Sequence, residues 1–303
     1  MNEIKNDILS ELLVSFESNI DRIKYAGNED DKRTEFLKVC KEVLDKKDQK
    51  TASNLQNLIN YYLFTLNVEV EQFITSISNE KVVLESFDYY TEEREKKDSF
   101  DATYDTITDV IVEQFEMEEL ISPDRYINSA RYHPSPVNSV KLALNSLVKY
   151  GVTYSDFVFI DIGSGMGRNL LIASEYPFKR VAGVEISNYL HEIAEKNVAR
   201  YEAKTGKKIK CDLHCVDALS FNFSESNMVL YFWEPFTENI SNQFIKNLEE
   251  FIATRNIIVK LIFLRNPFPA MERSTVFKEV GRLESEDYTI SNDEYFQTII
   301  YSN

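Results

Sequence analysis

The residues of this chain best suited to ligand chemistry form a glycine-rich turn after a short apolar run. Phe157 to Ile160 is apolar, an acid follows at Asp161, and glycines stand at 163, 165 and 167. The apolar run predicts a strand buried on both faces, and a helical pattern begins at Asn169. Such a turn between a strand and a helix suits an adenosine-type ligand at the carboxyl edge of a parallel sheet. Glycine allows positive φ there and lets a ligand approach bare backbone.

Three ligand classes compete for this turn. A phosphate loop needs G-x-x-x-x-G-K-[ST], and no Lys follows here. A dinucleotide turn needs G-x-G-x-x-G, but the third glycine comes one residue earlier in this chain. Class I S-adenosylmethionine (SAM) methyltransferases carry acid-x-G-x-G-x-G, which Asp161-Ile-Gly163-Ser-Gly165-Met-Gly167 matches at every fixed position. A glycine triplet alone also fits a tight turn without a ligand, so residues further along the chain have to discriminate.

Acids recur at the ends of the next predicted strands. Glu185 closes a strand 24 residues after Asp161, where a carboxylate can accept ribose hydroxyls of either NAD or SAM. Asp217 follows the third strand, where it can accept from an adenine amino group or cap a helix. Glu234-Pro-Phe236 follows the fourth strand, beside the predicted topological switch point. Acids at four strand ends on one edge favour a nucleoside ligand more strongly than the glycines alone.

Composition limits the classes of partner. The net charge is −16, and residues 1–130 hold 15 Lys and Arg against 29 Asp and Glu. An acidic chain without a basic stripe makes a nucleic-acid substrate unfavourable, because phosphate neutralisation supplies most of that affinity. The polar N-terminus and the lack of a long apolar run predict a cytoplasmic protein without a membrane span. Three cysteines predict no disulfide framework, and we expect Cys211 and Cys215 to be core residues rather than metal ligands.

The chain divides by periodicity into a helical half and a half in which strands and helices alternate. We predict a helical N-terminal domain over residues 1–122 and a ligand-binding α/β domain over residues 123–303. In the first domain, helical spacing predicts a last helix whose inward face carries Ile107, Val110, Ile111 and Phe115. The second domain predicts a doubly wound, mostly parallel sheet of seven strands that ends in an antiparallel pair. The sequence does not predict an oligomeric state.

A lead-in segment, Arg131-Tyr-His-Pro-Ser-Pro-Val137, precedes the first strand. Ser135 could cap a helix that starts with Pro136 and ends at Gly151. Such a segment could lie across the ligand mouth or could be a surface connection.

Residues 131–236 resemble a bacterial class I SAM-dependent methyltransferase. The resemblance rests on Asp161-x-Gly-Ser-Gly-x-Gly-Arg168, Val181-x-Gly-Val-Glu185, Asp217-Ala218 and Glu234-Pro-Phe236, in the family's order and spacing. Tyr132-His-Pro-Ser is similar to the Y-x-P-[ST] lead-in of small methyltransferases that include protein-lysine enzymes. The family usually has Asn or Asp where this chain has Glu234. The resemblance implies SAM as cofactor, S-adenosylhomocysteine as product, and a donor site formed by Asp161, Gly163, Ser164, Gly165, Gly167, Arg168, Asn169, Glu185, Asp217, Ala218 and Trp233.

The function predicted from this resemblance is methyl transfer from SAM to a small molecule or a protein side chain. Glu234, His133 and Tyr132 are the catalytic candidates, because a base is needed only if the acceptor must lose a proton. The helical domain is expected to select the acceptor by packing over the carboxyl edge of the sheet. A SAM-binding or interaction protein without catalysis is the alternative, and an NAD-dependent oxidoreductase is disfavoured by the glycine spacing. No metal is expected.

Overall fold

A computed structural model describes residues 14–27, 29–46, 59, 69–71, 74, 99–110, 112, 131–284 and 297–303. The chain forms two compact units, one from Met1–Lys97 with Val112–Arg131 and one from Asp98–Ile111 with Tyr132–Asn303. Predicted elements at residues 1–13, 47–58 and 113–130 lie outside the described residues, as does most of the predicted helix from Ser53 to Ile77.

The described residues of Met1–Lys97, the larger part of the first unit, are mostly helical. Residues 14–24 form a helix, and α1 (Glu29–Leu44) follows it. Phe16 stacks on Phe36 with ring centroids 4.7 Å apart, and both rings are fully buried. The inward face of α1 contains the residues expected from helical spacing, namely Phe36, Leu37, Cys40, Val43 and Leu44.

The second unit contains a seven-stranded sheet in the order β3-β2-β1-β4-β5-β7-β6. The strands are β1 (Phe157–Ile162), β2 (Arg180–Glu185), β3 (Cys211–Cys215), β4 (Asn227–Phe232), β5 (Val259–Leu264), β6 (Lys278–Glu284) and β7 (Gln297–Ser302). The first five pair in parallel, and β7 runs antiparallel to both β5 and β6. The predicted fold class is confirmed, and the order reverses between β1 and β4, which marks the topological switch point.

Helices cover both faces of the sheet. They are α2 (Phe100–Tyr104), α3 (Val137–Ser146), α4 (Arg168–Ala173), α5 (Asn188–Thr205), α6 (Glu238–Ile252) and α7 (Ala270–Arg273). Ser187 and Gly206 have the residue types that predict a helix start and a helix stop, and both cap α5: the Ser187 side chain accepts from the Leu190 amide, and Gly206 ends the helix with φ +70°. Helix α5 connects β2 to the neighbouring strand β3, and its N-cap Ser187 donates its amide to Glu185, which also accepts from the Gly165 amide of the glycine turn.

Side chains alternate between two cores along each strand. Phe157 and Phe159 of β1 pack with α3 and α4 on one face, whereas Val158, Ile160 and Ile162 pack with α6 on the other. Asp161 therefore lies on the face of Phe157 and Phe159, beneath α3 and α4. The strands β1, β2, β4 and β5 are largely buried on both faces, as their apolar sequences predict, whereas the edge strand β3 is only partly buried.

Two local predictions are wrong. Residues 106–110 are not helical, although Ile107 and Val110 fit a helical period; α2 ends at Tyr104, and its C-cap residue Asp105 has a φ of +58°. Ser135 does not cap α3, because Pro136 occupies the N-cap position and no side chain caps that end. In both places, side-chain hydrogen bonds to the sheet unit compete with the local signal. Among the described residues, no helix has the length and apolar character needed to cross a membrane.

Candidate functional site

The glycine turn between β1 and α4 lies at the carboxyl edge of the sheet, at the switch point. Gly163, Gly165 and Gly167 have φ of +80°, +52° and +86°. These values are strained for residues with a Cβ, which explains the glycine triplet. The amides of Gly163 and Ser164 both donate to the Val184 carbonyl, at 2.9 and 3.0 Å. The turn is therefore held against the end of β2.

Protein atoms occupy the positions that side chains on two of these glycines would need. A Cβ on Gly165 would lie 2.2 Å from the Tyr132 ring, and one on Gly163 would lie 2.6 Å from the Pro235 Cβ atom. The sequence predicted bare backbone, open to a ligand, at these positions. The glycines instead allow the lead-in segment and the residue after Glu234 to pack directly on the turn.

Glu185 lies at the end of β2 and faces the turn. Its Oε2 atom accepts from the Gly165 amide and its Oε1 atom from the Ser187 amide, both at 2.8 Å. The residue is only 6% exposed, and burial raises its pKa while the neighbouring backbone amides oppose that rise. A carboxylate offers about four acceptor positions, so Glu185 retains capacity for a ligand hydroxyl.

A buried polar network lies under the turn around Asp161. The Asn169 amide nitrogen lies 3.1 Å from both the Asp161 Oδ2 atom and the Ser135 Oγ atom, and the Tyr231 hydroxyl lies 3.3 Å from the same Oγ atom. Burial raises the pKa of Asp161 well above its usual range, the Asn169 amide opposes that rise, and the charge of Glu185 adds to it. The Asn169 Oδ1 atom is buried without a hydrogen-bond partner in the structure. Asp161 and Asn169 come before and after the glycine turn in the chain, so the hydrogen bond between them supports the turn.

Arg168 points away from the turn into the protein. Its Nε atom donates to the Thr108 hydroxyl at 2.7 Å, and its Nη1 atom lies 3.4 Å from the Ser135 carbonyl. The guanidinium lies 5.3 Å from the Phe100 ring centroid, and Arg168 is 3% exposed. This residue, predicted to bind the donor, joins residues 99–110 and the lead-in segment to the start of α4.

Glu234 follows β4 and has the left-handed φ of +44°, which is rare for a residue other than glycine. Its Oε1 atom accepts from the Asn266 side chain at 3.0 Å, and its Oε2 atom lies 3.5 Å from Arg265. Both partners follow β5, the next strand in the sheet. The predicted catalytic carboxylate is therefore part of a polar group spanning two strand ends.

The other two catalytic candidates differ in their surroundings. The Tyr132 hydroxyl donates to the Thr108 carbonyl at 2.8 Å, and burial strongly raises its pKa. A phenol that keeps its proton and donates it to a carbonyl is unsuited to act as a base. The His133 ring meets the Trp233 ring edge-on, with centroids 4.7 Å apart. His133 and Trp233 therefore lie together next to Glu234.

The remaining predicted donor residues have local roles that the structure defines. Asp217 follows β3, and its Oδ1 atom accepts from the Leu219 amide at 2.9 Å, so it caps a short 3-10 helix. Ala218 packs against the core on the α6 face. Ser164 is buried beside Gly183, where an added Cβ would lie 2.7 Å from its hydroxyl.

Asn197 is a site residue that the sequence analysis missed. It is fully buried on α5, where it accepts from the Ile107 amide and donates to the Ile107 carbonyl, both at 2.8 Å. The same side chain donates to the Met166 carbonyl in the glycine turn at 2.9 Å. A single Asn within a helical pattern has no spacing signal, so only the fold reveals this role.

The residues considered for a metal do not converge. Within the described part of the chain, no group of three His, Cys, Asp or Glu is arranged to hold an ion. Burial raises the pKa of Cys211 to about 12. Cys215 is exposed, which corrects its assignment to the core.

No protein-family model and no curated protein matches the chain. Solved structures match over about half of the chain. An RNA methyltransferase from Salinibacter ruber, in complex with S-adenosylhomocysteine, is 19% identical with a TM-score of 0.37, over 56% of this chain and 91% of that one.

Two further structures give similar values. A ribosomal protein methylase from Lactobacillus delbrueckii subsp. bulgaricus is 16% identical with a TM-score of 0.39, over 55% of this chain and 79% of that one. A magnesium protoporphyrin IX methyltransferase from Synechocystis, with bound SAM, is 15% identical with a TM-score of 0.40, over 55% and 78%. Identities this low carry no information on activity, so any function has to follow from the site itself.

Proposed function

We propose that this chain is a SAM-dependent methyltransferase. The observation that carries the proposal is the Glu185 carboxylate, which lies at the end of β2 and is bonded to the Gly165 amide within the G-x-G-x-G turn. This arrangement places a buried hydroxyl acceptor directly beside a left-handed glycine turn at the switch point. A ribose and an attached thioether or sulfonium chain match this donor set, because they need hydroxyl acceptors but no phosphate site.

An NAD-dependent oxidoreductase fits the same site less well. A dinucleotide places its pyrophosphate at the N-terminus of the helix after the turn, where backbone amides and a positive dipole stabilise it. Helix α4 has only six residues, and the Arg168 side chain at its start donates to Thr108 and lies beside the Ser135 carbonyl. Arg168 is thus committed to protein oxygens. The third glycine also comes one residue early for the dinucleotide pattern.

The residues of the chain divide into two groups under this proposal. Glu185 and the glycine turn hold the donor, and Asp161 with Asn169 supports the turn from below. The acceptor is oriented by two groups of side chains. One is Glu234 with Arg265 and Asn266, and the other is His133 with Trp233. When bound, SAM supplies an electrophilic methyl group on a positive sulfur, so the acceptor needs a neutral or anionic attacking atom and good alignment.

His133 is the proposed base wherever the acceptor must lose a proton. Tyr132 keeps its proton for the Thr108 carbonyl, and both oxygens of Glu234 face donors on residues 265 and 266. We assign Tyr132 to packing on the turn and Glu234 to orienting the acceptor. A neutral imidazole can take a proton near neutral pH, which suits this role.

The acceptor class remains as predicted, a small molecule or a protein side chain. The net charge of −16 favours these over nucleic acid. The part of the helical domain in acceptor selection, the domain boundary at residue 122 and a cytoplasmic location likewise stay predictions.

Calorimetry with SAM, S-adenosylhomocysteine and NAD tests the donor. The two sulfur ligands are expected to bind with micromolar affinity and NAD is not, whereas NAD binding without SAM binding would refute the proposal. Methyl-labelled SAM incubated with fractionated lysate then tests catalysis, with separate protein, small-molecule and RNA fractions. SAM binding without transfer to any fraction would favour the alternative, a SAM-binding or interaction protein.

A further inference from the structure

A short segment from the N-terminal half packs into the sheet unit beside the glycine turn. We call residues 99–110 the strap. Phe100 is buried in the core that contains α3 and α4, and the Tyr104 ring lies 4.8 Å from Tyr201 of α5. The Tyr104 hydroxyl also bonds to Glu175 at 2.8 Å. The first half of the strap is therefore anchored independently of its second half.

Asp101 shapes the second half of the strap. Its Oδ2 atom accepts from the Thr108 and Asp109 amides, both at 2.7 Å. Its Oδ1 atom accepts from the Thr106 hydroxyl at 2.8 Å and the Thr108 hydroxyl at 2.7 Å. Burial acts to raise the pKa of Asp101, but these four hydrogen bonds together hold it below its usual value. One ionised side chain thus folds residues 106–109 around itself.

Thr108 transmits this order to the glycine turn through both of its oxygens. The Thr108 carbonyl accepts from the Tyr132 hydroxyl at 2.8 Å, and the Tyr132 ring packs on Gly165. The Thr108 hydroxyl accepts from Arg168, the residue that follows Gly167. Thr108 itself is fully buried. Its position therefore fixes the side chains that flank the turn on two sides.

A second connection reaches the turn without passing through Thr108. Asn197 pairs with both backbone groups of Ile107 and also holds the Met166 carbonyl. Met166 lies between Gly165 and Gly167. The strap and the turn are therefore both bonded to the buried side-chain amide of Asn197. Two neighbouring strap residues, Ile107 and Thr108, are thus each linked to the turn through other side chains.

We propose that Asp101 is a positioning residue for donor binding, which orders residues 106–109 so that the strap holds the glycine turn in its binding conformation. This inference rests on the proposed function. Asp101 acts through Thr108, Tyr132 and Arg168, and it makes no bond to the turn itself. Holding a site in its bound geometry before the ligand arrives strengthens binding, because less ordering remains to be done on association.

The test compares Asp101→Asn with Asp105→Asn. An Asn has one acceptor oxygen, whereas both oxygens of Asp101 accept two hydrogen bonds, so one pair of donors must face an NH₂ group. Asp105 lies four residues later, is exposed, and has the φ of +58° that Asn tolerates well. The two variants therefore make the same chemical change on the same short helix.

Trp233 is the only Trp of the chain and adjoins the site, so its fluorescence can follow titration with S-adenosylhomocysteine. Asp101→Asn is expected to weaken binding at least tenfold at a temperature where circular dichroism shows it fully folded, and Asp105→Asn to stay within twofold of wild type. Amide exchange gives a second readout. Ligand should increase protection of the Thr108 and Asp109 amides in the wild type and fail to do so in Asp101→Asn.

Each other outcome overturns the inference. A folded Asp101→Asn protein with wild-type affinity shows that the positioning role is absent while the proposed function stands. An Asp101→Asn protein that is unfolded shows a general structural role instead. Wild-type protein that binds neither SAM nor S-adenosylhomocysteine refutes the proposed function, and this inference with it.

Discussion

Glu234 and Arg265 form an ion pair between two strand ends that both have left-handed backbone conformations. The Glu234 Oε2 atom lies 3.5 Å from the Arg265 Nη1 atom, and the two residues have φ of +44° and +81°. They follow β4 and β5, which are neighbours in the sheet. Left-handed residues with a Cβ cost on the order of 1–2 kcal/mol each, and such strain persists mainly at functional sites. The pair therefore marks the acceptor side of the proposed site.

Backbone strain at Glu234 predicts an unusual order of stability among variants. Glu234→Ala loses the ion pair and keeps the strain, whereas Glu234→Gly loses the pair and relieves the strain. The Gly variant should therefore unfold with a free energy about 1 kcal/mol higher than the Ala variant. Urea denaturation followed by Trp233 fluorescence measures this difference in the sheet unit. Equal values would mean that Glu234 is not strained.

A second ion pair, at the opposite ends of the same two strands, serves as a matched control. Arg255 lies 2.9 Å from Glu225, and these residues precede β5 and β4. Glu234→Gln is expected to lower methyl transfer at least tenfold while S-adenosylhomocysteine binds within threefold of wild type. Glu225→Gln should change neither, because its pair is exposed and far along both strands from the switch point. Equal losses in the two variants would contradict a role for Glu234 at the acceptor.

Glu185 should determine donor affinity through its free acceptor positions. Glu185→Gln keeps the size of the side chain but replaces one acceptor oxygen with an NH₂ group. This donor then faces another donor, the Gly165 or the Ser187 amide. Hydrogen bonds to charged groups contribute roughly 1.5–3 kcal/mol, so we expect SAM affinity to fall at least tenfold. Calorimetry measures it, with Glu192→Gln on the exposed face of α5 as the control. Normal binding by Glu185→Gln would show that this carboxylate does not contact the donor.

The sequence predicted the sheet unit well because its signals are local. Apolar runs predicted β1 and β2 at the observed residues, and Ser187 and Gly206 predicted the ends of α5. The glycine spacing and Glu185 were also visible as a pattern. The strap was not, since its contacts depend on single side chains, such as Asn197, that reach Ile107 from 90 positions away. A helical period around Ile107 was misleading because these side-chain hydrogen bonds outweigh propensity.

The buried carboxyl of Asp161 predicts a pH dependence of stability. Its folded pKa is raised, mainly by burial, so the folded state keeps a proton that the unfolded state has lost. The free energy of unfolding should therefore fall as the pH rises from the ordinary Asp value of about 3.9 through the raised folded value. Asp161→Asn lacks this titration. Its stability relative to wild type should increase with pH, as measured by urea denaturation between pH 5 and 8, and parallel curves would contradict the prediction.

The contact between Tyr132 and Gly165 predicts different costs for an added methyl group at two left-handed glycines. Gly206→Ala meets nothing within 4 Å and has a φ of +70°, so it should cost only the strain of about 1–2 kcal/mol. Gly165→Ala adds a clash at 2.2 Å with the Tyr132 ring, so it should destabilise the protein further and weaken SAM at least tenfold. Gly206→Ala should bind SAM normally.

In Tyr132→Leu the smaller side chain should remove part of the clash, so the double variant with Gly165→Ala should be more stable than the sum of the single effects predicts. Additive effects, from thermal midpoints and calorimetry, would mean that Tyr132 does not hold the turn.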